Sequence, residues 1–342
     1  MNAVAIDDYS SGSAIATYLQ PLQRLLAGEI TEVVVNRPGE AWTEGREGWQ
    51  RHDMPELSYD HLRMLAKLIA TSTHQTISEN APVVSAALPG GERVQAIVPP
   101  AVPQGTVSLT IRKPSQLRLT LADYERGGAF ERVVLGNDVN EALESQLHEH
   151  LRAGRIRAFL ELAVQHRQNI VVSGATGSGK TTIMKTLVDL IPVNERLITI
   201  EDTPELEIRN QPNHVRLFYS KDGQGVSNAT PKLLLESCLR MKPDRIMLAE
   251  LRSEEAFYFI RNVNSGHPGS ITSVHATSPR LAIEQLMLLV KESPGGAHLS
   301  REDIKQLLFM LVDIVIQFSV VNGRRCVTGI YYEPERKRSI LA

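Results

Sequence analysis

The stretch Ser173-Gly174-Ala175-Thr176-Gly177-Ser178-Gly179-Lys180-Thr181-Thr182 decides how this chain is read. It fits G-x-x-x-x-G-K-S/T, with Gly174, Gly179, Lys180 and Thr181 at the fixed positions. Its setting gives the pattern weight. Before it, Asn169-Ile170-Val171-Val172 reads as a short buried strand. After it, Ile183, Met184, Leu187, Val188 and Ile191 recur at helical spacing until Pro192 ends the run. Strand, glycine-rich turn and helix N-terminus together make an anion cradle. The glycines let the backbone wrap closely with its N–H groups inward, and the helix dipole adds positive potential. Residues 174–182 are therefore expected to hold a nucleoside triphosphate, ATP. Lys180 would reach the β- and γ-phosphates, and the Thr181 hydroxyl would ligate Mg²⁺.

Outward from this stretch, the chain has the composition of a globular protein. Of its 342 residues 42% are hydrophobic and 22% charged, enough for two domains with sizeable cores. A net charge of −2 and 5% aromatic residues provide neither a basic stripe nor a stacking platform, so nucleic acid is not expected as a direct substrate. The two cysteines, Cys238 and Cys326, lie far apart without metal-ligand spacing, which points to a reducing compartment. The longest apolar run, Leu307 to Val321, is interrupted by Asp313 and Gln317 and is too short to span a bilayer. A cytoplasmic protein is expected, with any membrane association peripheral.

On the N-terminal side, residues 1–12 read as a loose tail. Residues 13–116 read as a smaller mixed α+β domain. Its helices are expected at Ile15–Leu26 and His61–Ala70. Its strands are expected at Glu32–Asn36, around Ala41–Thr43, across Val83–Val98 with a turn at Pro89-Gly90-Gly91, and at Val107–Arg112. Residues 117–157 turn polar and helical, a linker with lead-in helices and a hinge candidate at Gly127-Gly128. From 158 to 342 strands and helices alternate, which predicts a three-layer α/β domain with a mostly parallel sheet. The expected strands are Ile170–Ser173, Leu197–Glu201, Val215–Phe218, Arg245–Ala249, Ser270–Val274 and Ile314–Phe318.

A phosphate loop needs an acid on a neighbouring strand to hold magnesium and position water. Arg245-Ile246-Met247-Leu248-Ala249-Glu250 supplies one, placing Glu250 to meet Mg²⁺ directly or through water. Leu197-Ile198-Thr199-Ile200-Glu201-Asp202 is a second strand ending in carboxylates, at the sheet edge where ligands bind. Glu201 and Asp202 are rival candidates for orienting the attacking water, and Asp202 also suits a cap on the turn into Pro204. In Gly266-His267-Pro268-Gly269 to Val274-His275-Ala276-Thr277, two histidines flank a strand, and either ring could sense the γ-phosphate. No third ligand at metal-site spacing accompanies them.

These stretches, in this order, resemble the secretion-superfamily traffic ATPases, whose Walker A, Asp box, Walker B and His box they match. Leu239-Arg240-Met241-Lys242-Pro243-Asp244 leading into the Glu250 strand belongs to the same likeness. So do Glu32 to Trp42, Gly91-Glu92-Arg93-Val94 with Pro99-Pro100, and Ser108 to Ser115, on the N-terminal side. The short N-terminal domain and the lack of a four-cysteine element are similar to the hexameric ATPases of type IV secretion and conjugation systems. Ala249 and Ser273 depart from the pattern, standing where the family usually has Gly and Thr.

The resemblance implies a RecA-like C-terminal domain and a two-tiered homo-hexameric ring with nucleotide held between the N- and C-terminal domains. It implies that Arg93 and Arg112 reach the phosphates from the N-terminal domain. It also implies work at the cytoplasmic face of the inner membrane beside other ATPases and inner-membrane components, powering pilus assembly or substrate transfer. Two other readings fit the residues: a nucleotide-gated scaffold with little turnover, and a nucleic-acid motor.

Overall fold

The computed structural model describes residues 14–115, 118–133, 140–220, 225–263 and 265–341. The tail expected for residues 1–12 lies outside them. The N-terminal unit starts with α1 (Ala14–Leu26), whose Ile15, Leu19, Leu22 and Leu26 form one buried stripe. There follow β1 (Glu32–Val35), β2 (Gly39–Gly45), β3 (Gly48–Met54), α2 (Tyr59–Ser72), β4 (Val83–Ala87), β5 (Arg93–Ile97) and β6 (Ser108–Arg112). Ser58 caps α2 by accepting from His61 N–H, and Leu62, Leu65, Ala66 and Ile69 face inward. The strands form one antiparallel sheet in the order β3-β2-β1-β6-β5-β4, with the two helices packed into a single core beside it.

Three short helices lead into the second unit: α3 (Leu121–Arg126), α4 (Glu141–Arg152) and α5 (Ile156–Gln165). Beyond them come β7 (Ile170–Ser173), α6 (Lys180–Val188), β8 (Leu197–Glu201), β9 (His214–Phe218), α7 (Pro231–Cys238) and β10 (Arg245–Leu248). The chain ends with α8 (Glu255–Val263), β11 (Ile271–Val274), α9 (Pro279–Glu292), α10 (Arg301–Leu311), β12 (Ile314–Val321), β13 (Arg324–Tyr331) and α11 (Pro334–Leu341). The strands form two backbone-bonded sets, β10-β8-β9 and β11-β7-β12-β13, parallel throughout except for β13.

The two sets meet side by side at β10 and β11, where serine hydroxyls replace the ladder. Ser270 Oγ donates to the Ile246 carbonyl at 2.8 Å and Ser273 Oγ to the Ala249 carbonyl at 3.0 Å. Leu251 N–H donates to the Ser273 carbonyl at 2.8 Å. The pairings advance together along both strands, so β10 and β11 are also parallel. Alternate strand residues enter two separate cores: Val171, Ile198, Ile246 and Val315 in one, Ile170, Leu197, Met247 and Ile314 in the other. Helices α7 to α10 cover the first face and α4 to α6 the second, giving three layers.

The N-terminal unit meets this sheet at the edge where the parallel strands begin. Arg196, just before β8, is fully buried and donates to Asn36 Oδ1 at 2.7 Å, while Asn36 Nδ2 donates to Asn213 Oδ1 at 3.0 Å. Lys242, ahead of β10, pairs with Glu44 at 2.8 Å. Beside β9, Ile97, Ala101 and Val102 join the core that holds Val215 and Leu217, and Phe218 N–H donates to the Ala101 carbonyl. That contact covers an otherwise open sheet edge. Among the described residues, no helix is long and apolar enough to cross a membrane.

Candidate active site

The glycine-rich loop runs from the end of β7 into α6, at the edge where the parallel strands finish. Gly179 caps α6 in the left-handed region at φ +100°, a conformation that side chains other than glycine resist. A Cβ on Gly174 would lie 2.5 Å from both the Phe318 carbonyl oxygen and Ser178 Oγ, so the loop closes tightly only with glycine there. Lys180 is buried, with Nζ donating to the carbonyls of Gly174 at 3.1 Å and Ala175 at 3.3 Å. Burial pulls its pKa below the usual lysine range, opposed by the nearby Glu250 carboxylate.

From Lys180 a line of polar groups crosses to the acids. Lys180 Nζ lies 3.2 Å from His275 Nδ1, and an ammonium can only donate, so Nδ1 accepts and the ring proton sits on Nε2. His275 Nε2 lies 2.6 Å from Glu250 Oε1, off the line of a hydrogen bond, and that buried oxygen has no donor among the described residues. Glu250 Oε2 pairs with Arg252, whose pKa is raised chiefly by that hydrogen bond. Arg252 in turn reaches Asp202 Oδ2 at 3.3 Å. Four of the expected residues (Lys180, His275, Glu250 and Asp202) thus stand in one contiguous network.

Three expectations change. Glu201 does not face the loop. It is 1% exposed, and Thr199, Arg216 and the backbone N–H groups of Glu205 and Leu206 occupy both its carboxylate oxygens at 2.7 to 3.2 Å. It holds the turn 202–206 in shape. His267 is on the far side: it precedes β11, at the edge where the strands begin, and hydrogen-bonds the Pro243 carbonyl. Burial lowers its pKa. A parallel strand has two ends, and only the His275 end adjoins the loop.

Arg93 and Arg112 are also remote from their own loop. They are opposite each other across β5 and β6, and Arg112 Nε donates to Glu32 at 2.5 Å. With Arg240 they line a groove of about 420 Å³ on the side where the strands begin. Within one chain they therefore do not meet the nucleotide cradle.

The sequence reading missed Glu205 as a site residue. The turn that Glu201 organises carries Glu205 to Thr181, whose Oγ1 donates to Glu205 Oε2 at 2.9 Å. Its signal was the motif itself, Thr203-Pro204-Glu205, which continues past the strand end. The described residues contain no group of three or more His, Cys, Asp or Glu able to cage a metal ion. A hydroxyl and two nearby carboxylates suit instead a Mg²⁺ held mainly by phosphates and water.

Comparison with known proteins places the chain in a family. The family described as type II/IV secretion system protein matches residues 16–317. The type IV secretion system protein VirB11 of Bartonella henselae is 50% identical over 340 residues, covering 96% of this chain and 95% of that protein. The PtlH homolog of Bordetella bronchiseptica is 40% identical over 337 residues, covering 97% and 98% respectively. Among solved structures, the VirB11 ATPase of the Brucella suis type IV secretion system, in complex with sulphate, superposes with a TM-score of 0.90 at 45% identity. That match covers 96% of this chain and all of the other.

Proposed function

The chain belongs to the type II/IV secretion system protein family, and from that premise we propose that it hydrolyses ATP to drive a type IV secretion apparatus. The observation that carries this reading is the contact network from Lys180 through His275 to Glu250, built around the phosphate loop. In this reading residues 158–342 form a RecA-like catalytic domain, joined through 117–157 to the N-terminal domain 13–116.

The N–H groups of the loop and of the first turn of α6 receive the phosphates. Lys180 gives up its loop carbonyls and turns to the β- and γ-phosphates. Mg²⁺, when bound, neutralises charge on the phosphate oxygens; Thr181 and Glu250 are the residues that would hold it, directly or through water. Were Thr181 to hold the metal, its hydroxyl would leave Glu205, and the freed carboxylate would orient the attacking water. Attack of the water oxygen on the γ-phosphorus breaks the bond to the β–γ bridging oxygen. Glu205 takes the water's proton, and ADP and phosphate leave. Glu250 is held in position by Arg252.

Arg93 and Arg112 face away from their own loop, so in a homo-hexameric ring their guanidinium groups would come from a neighbouring copy. Domain movement around the ring would then open and close each site, powering pilus assembly or substrate transfer at the cytoplasmic face of the inner membrane. There the ring would work beside other ATPases and inner-membrane components of the apparatus. Steady-state phosphate release tests the proposal. The wild-type chain should turn over ATP and Lys180→Ala should lose at least a hundredfold, whereas equal rates would overturn it.

A further inference from the structure

The acids of the site all stand on one side of the phosphate loop, and two groups on its other side have no part in the chemistry above. In the sheet β7 lies between β11 and β12. His275, Glu250 and Glu205 stand on the β11 side. On the β12 side, the hairpin of β12 and β13 brings Phe318 and Arg325 against the loop. A Cβ built on Gly179 would lie 2.8 Å from Arg325 Cδ, 3.1 Å from Arg325 Nε and 3.1 Å from Phe318 Cε1. The guanidinium stem and the ring edge therefore rest on the glycine that caps α6. Arg325 is exposed, and its guanidinium has no carboxylate partner among the described residues.

A bound triphosphate has two ends. Its terminal phosphate lies by Lys180 and the acids, the groups that the chemistry above assigns to it. The chain of phosphates then crosses the N-terminus of α6, and the nucleoside leaves on the opposite side, toward β12 and β13. We infer that Phe318 and Arg325 form the nucleoside subsite of this cradle, an inference that rests on the ATP-binding reading of residues 174–182. A guanidinium plane stacks on an aromatic base and meets its edge with N–H donors; Phe318 supplies an apolar wall beneath. The second requirement for glycine at 179 follows. Besides its left-handed φ, the position must leave room for Arg325 to lie flat across the loop.

The test compares a ligand with a nucleoside to one without. The full-length chain is titrated calorimetrically with ADP and with inorganic tripolyphosphate, each with Mg²⁺. Arg325→Ala should weaken ADP at least tenfold and leave tripolyphosphate within twofold, with an unchanged melting temperature in the absence of ligand. Arg325→Gln keeps the stem without the charge and should behave likewise. Equal weakening of both ligands would make Arg325 a phosphate contact and overturn the subsite, as would no weakening of either. Lys180→Ala is the separate control on the underlying reading and should weaken both ligands. If it weakens neither, the loop itself has been misassigned.

Discussion

Thr181 and Glu205 are 24 residues apart in the chain, with a helix and a strand between them, yet the threonine hydroxyl donates to the glutamate carboxylate at 2.9 Å. Each therefore occupies the other. Glu205→Gln retains an acceptor for Thr181, so the fold and nucleotide binding should persist. The carboxylate's basicity is gone, and phosphate release should fall on the order of a hundredfold or more. Calorimetric binding beside a turnover assay checks both halves; unchanged turnover would remove Glu205 from the chemistry.

Glu201 behaves differently because it is buried in a two-pronged pair with Arg216. Arg216→Ala leaves a buried carboxylate without its cation and should cost about 3 kcal/mol of stability. The turn that carries Glu205 loosens with it, so turnover should drop as well. Urea unfolding of the variant separates this from Glu205→Gln, which should keep wild-type stability.

The two histidines provide an internal comparison. His275→Asn removes the ring between Lys180 and Glu250 and should lower turnover at least tenfold. His267→Asn acts at the opposite edge of the sheet and should leave turnover within twofold of wild type. Matched kinetics on the pair would show whether placement along β11 decides which one matters.

For the arginines the informative measurement is mixing. Arg112→Ala and Lys180→Ala chains should each be inactive alone. If the arginine serves a neighbour's loop, a random mixed ring regains about a quarter of its sites. No recovery on mixing would place Arg112 in its own chain's site or outside the chemistry altogether.

His214 gives a pH dependence. It begins β9, and its Nδ1 lies 2.6 Å from the Gln211 carbonyl. Burial lowers its pKa from 6.5 to about 4, with Arg37, Arg216 and Arg196 adding repulsion. Between those values the unfolded chain takes up a proton that the folded chain refuses. Stability should therefore fall as pH drops from 6.5 to 4, by up to roughly 3 kcal/mol. His214→Gln should flatten that part of a stability–pH curve.

Much of this was legible in the sequence because the strands of the parallel sheet are buried on both faces and read as apolar runs. Residues 170–173 and 245–248 show this plainly. Strands β3 and β13 were missed for the converse reason: both are edge strands with mostly exposed or half-exposed side chains, so no apolar alternation marks them. The loop, Lys180 and Glu250 follow from spacing and strand ends. That Glu201 turns inward could not be read, because its partner Arg216 lies on another strand and only the sheet order brings them together. Arg325 carries no motif at all. Its place beside Gly179 is a product of the hairpin's fold-back.

The serine seam between β10 and β11 has a mechanical meaning. One half-sheet carries the acids Glu201, Asp202, Glu205 and Glu250. The other carries Lys180, Thr181 and His275. Among the described residues, side-chain hydrogen bonds and one backbone bond stitch the halves together where a continuous ladder would otherwise run. The active site is thus a clasp across a joint. A nucleotide seated there works as a rivet, and each turnover that removes its terminal phosphate removes a fastening from the line along which the sheet is weakest.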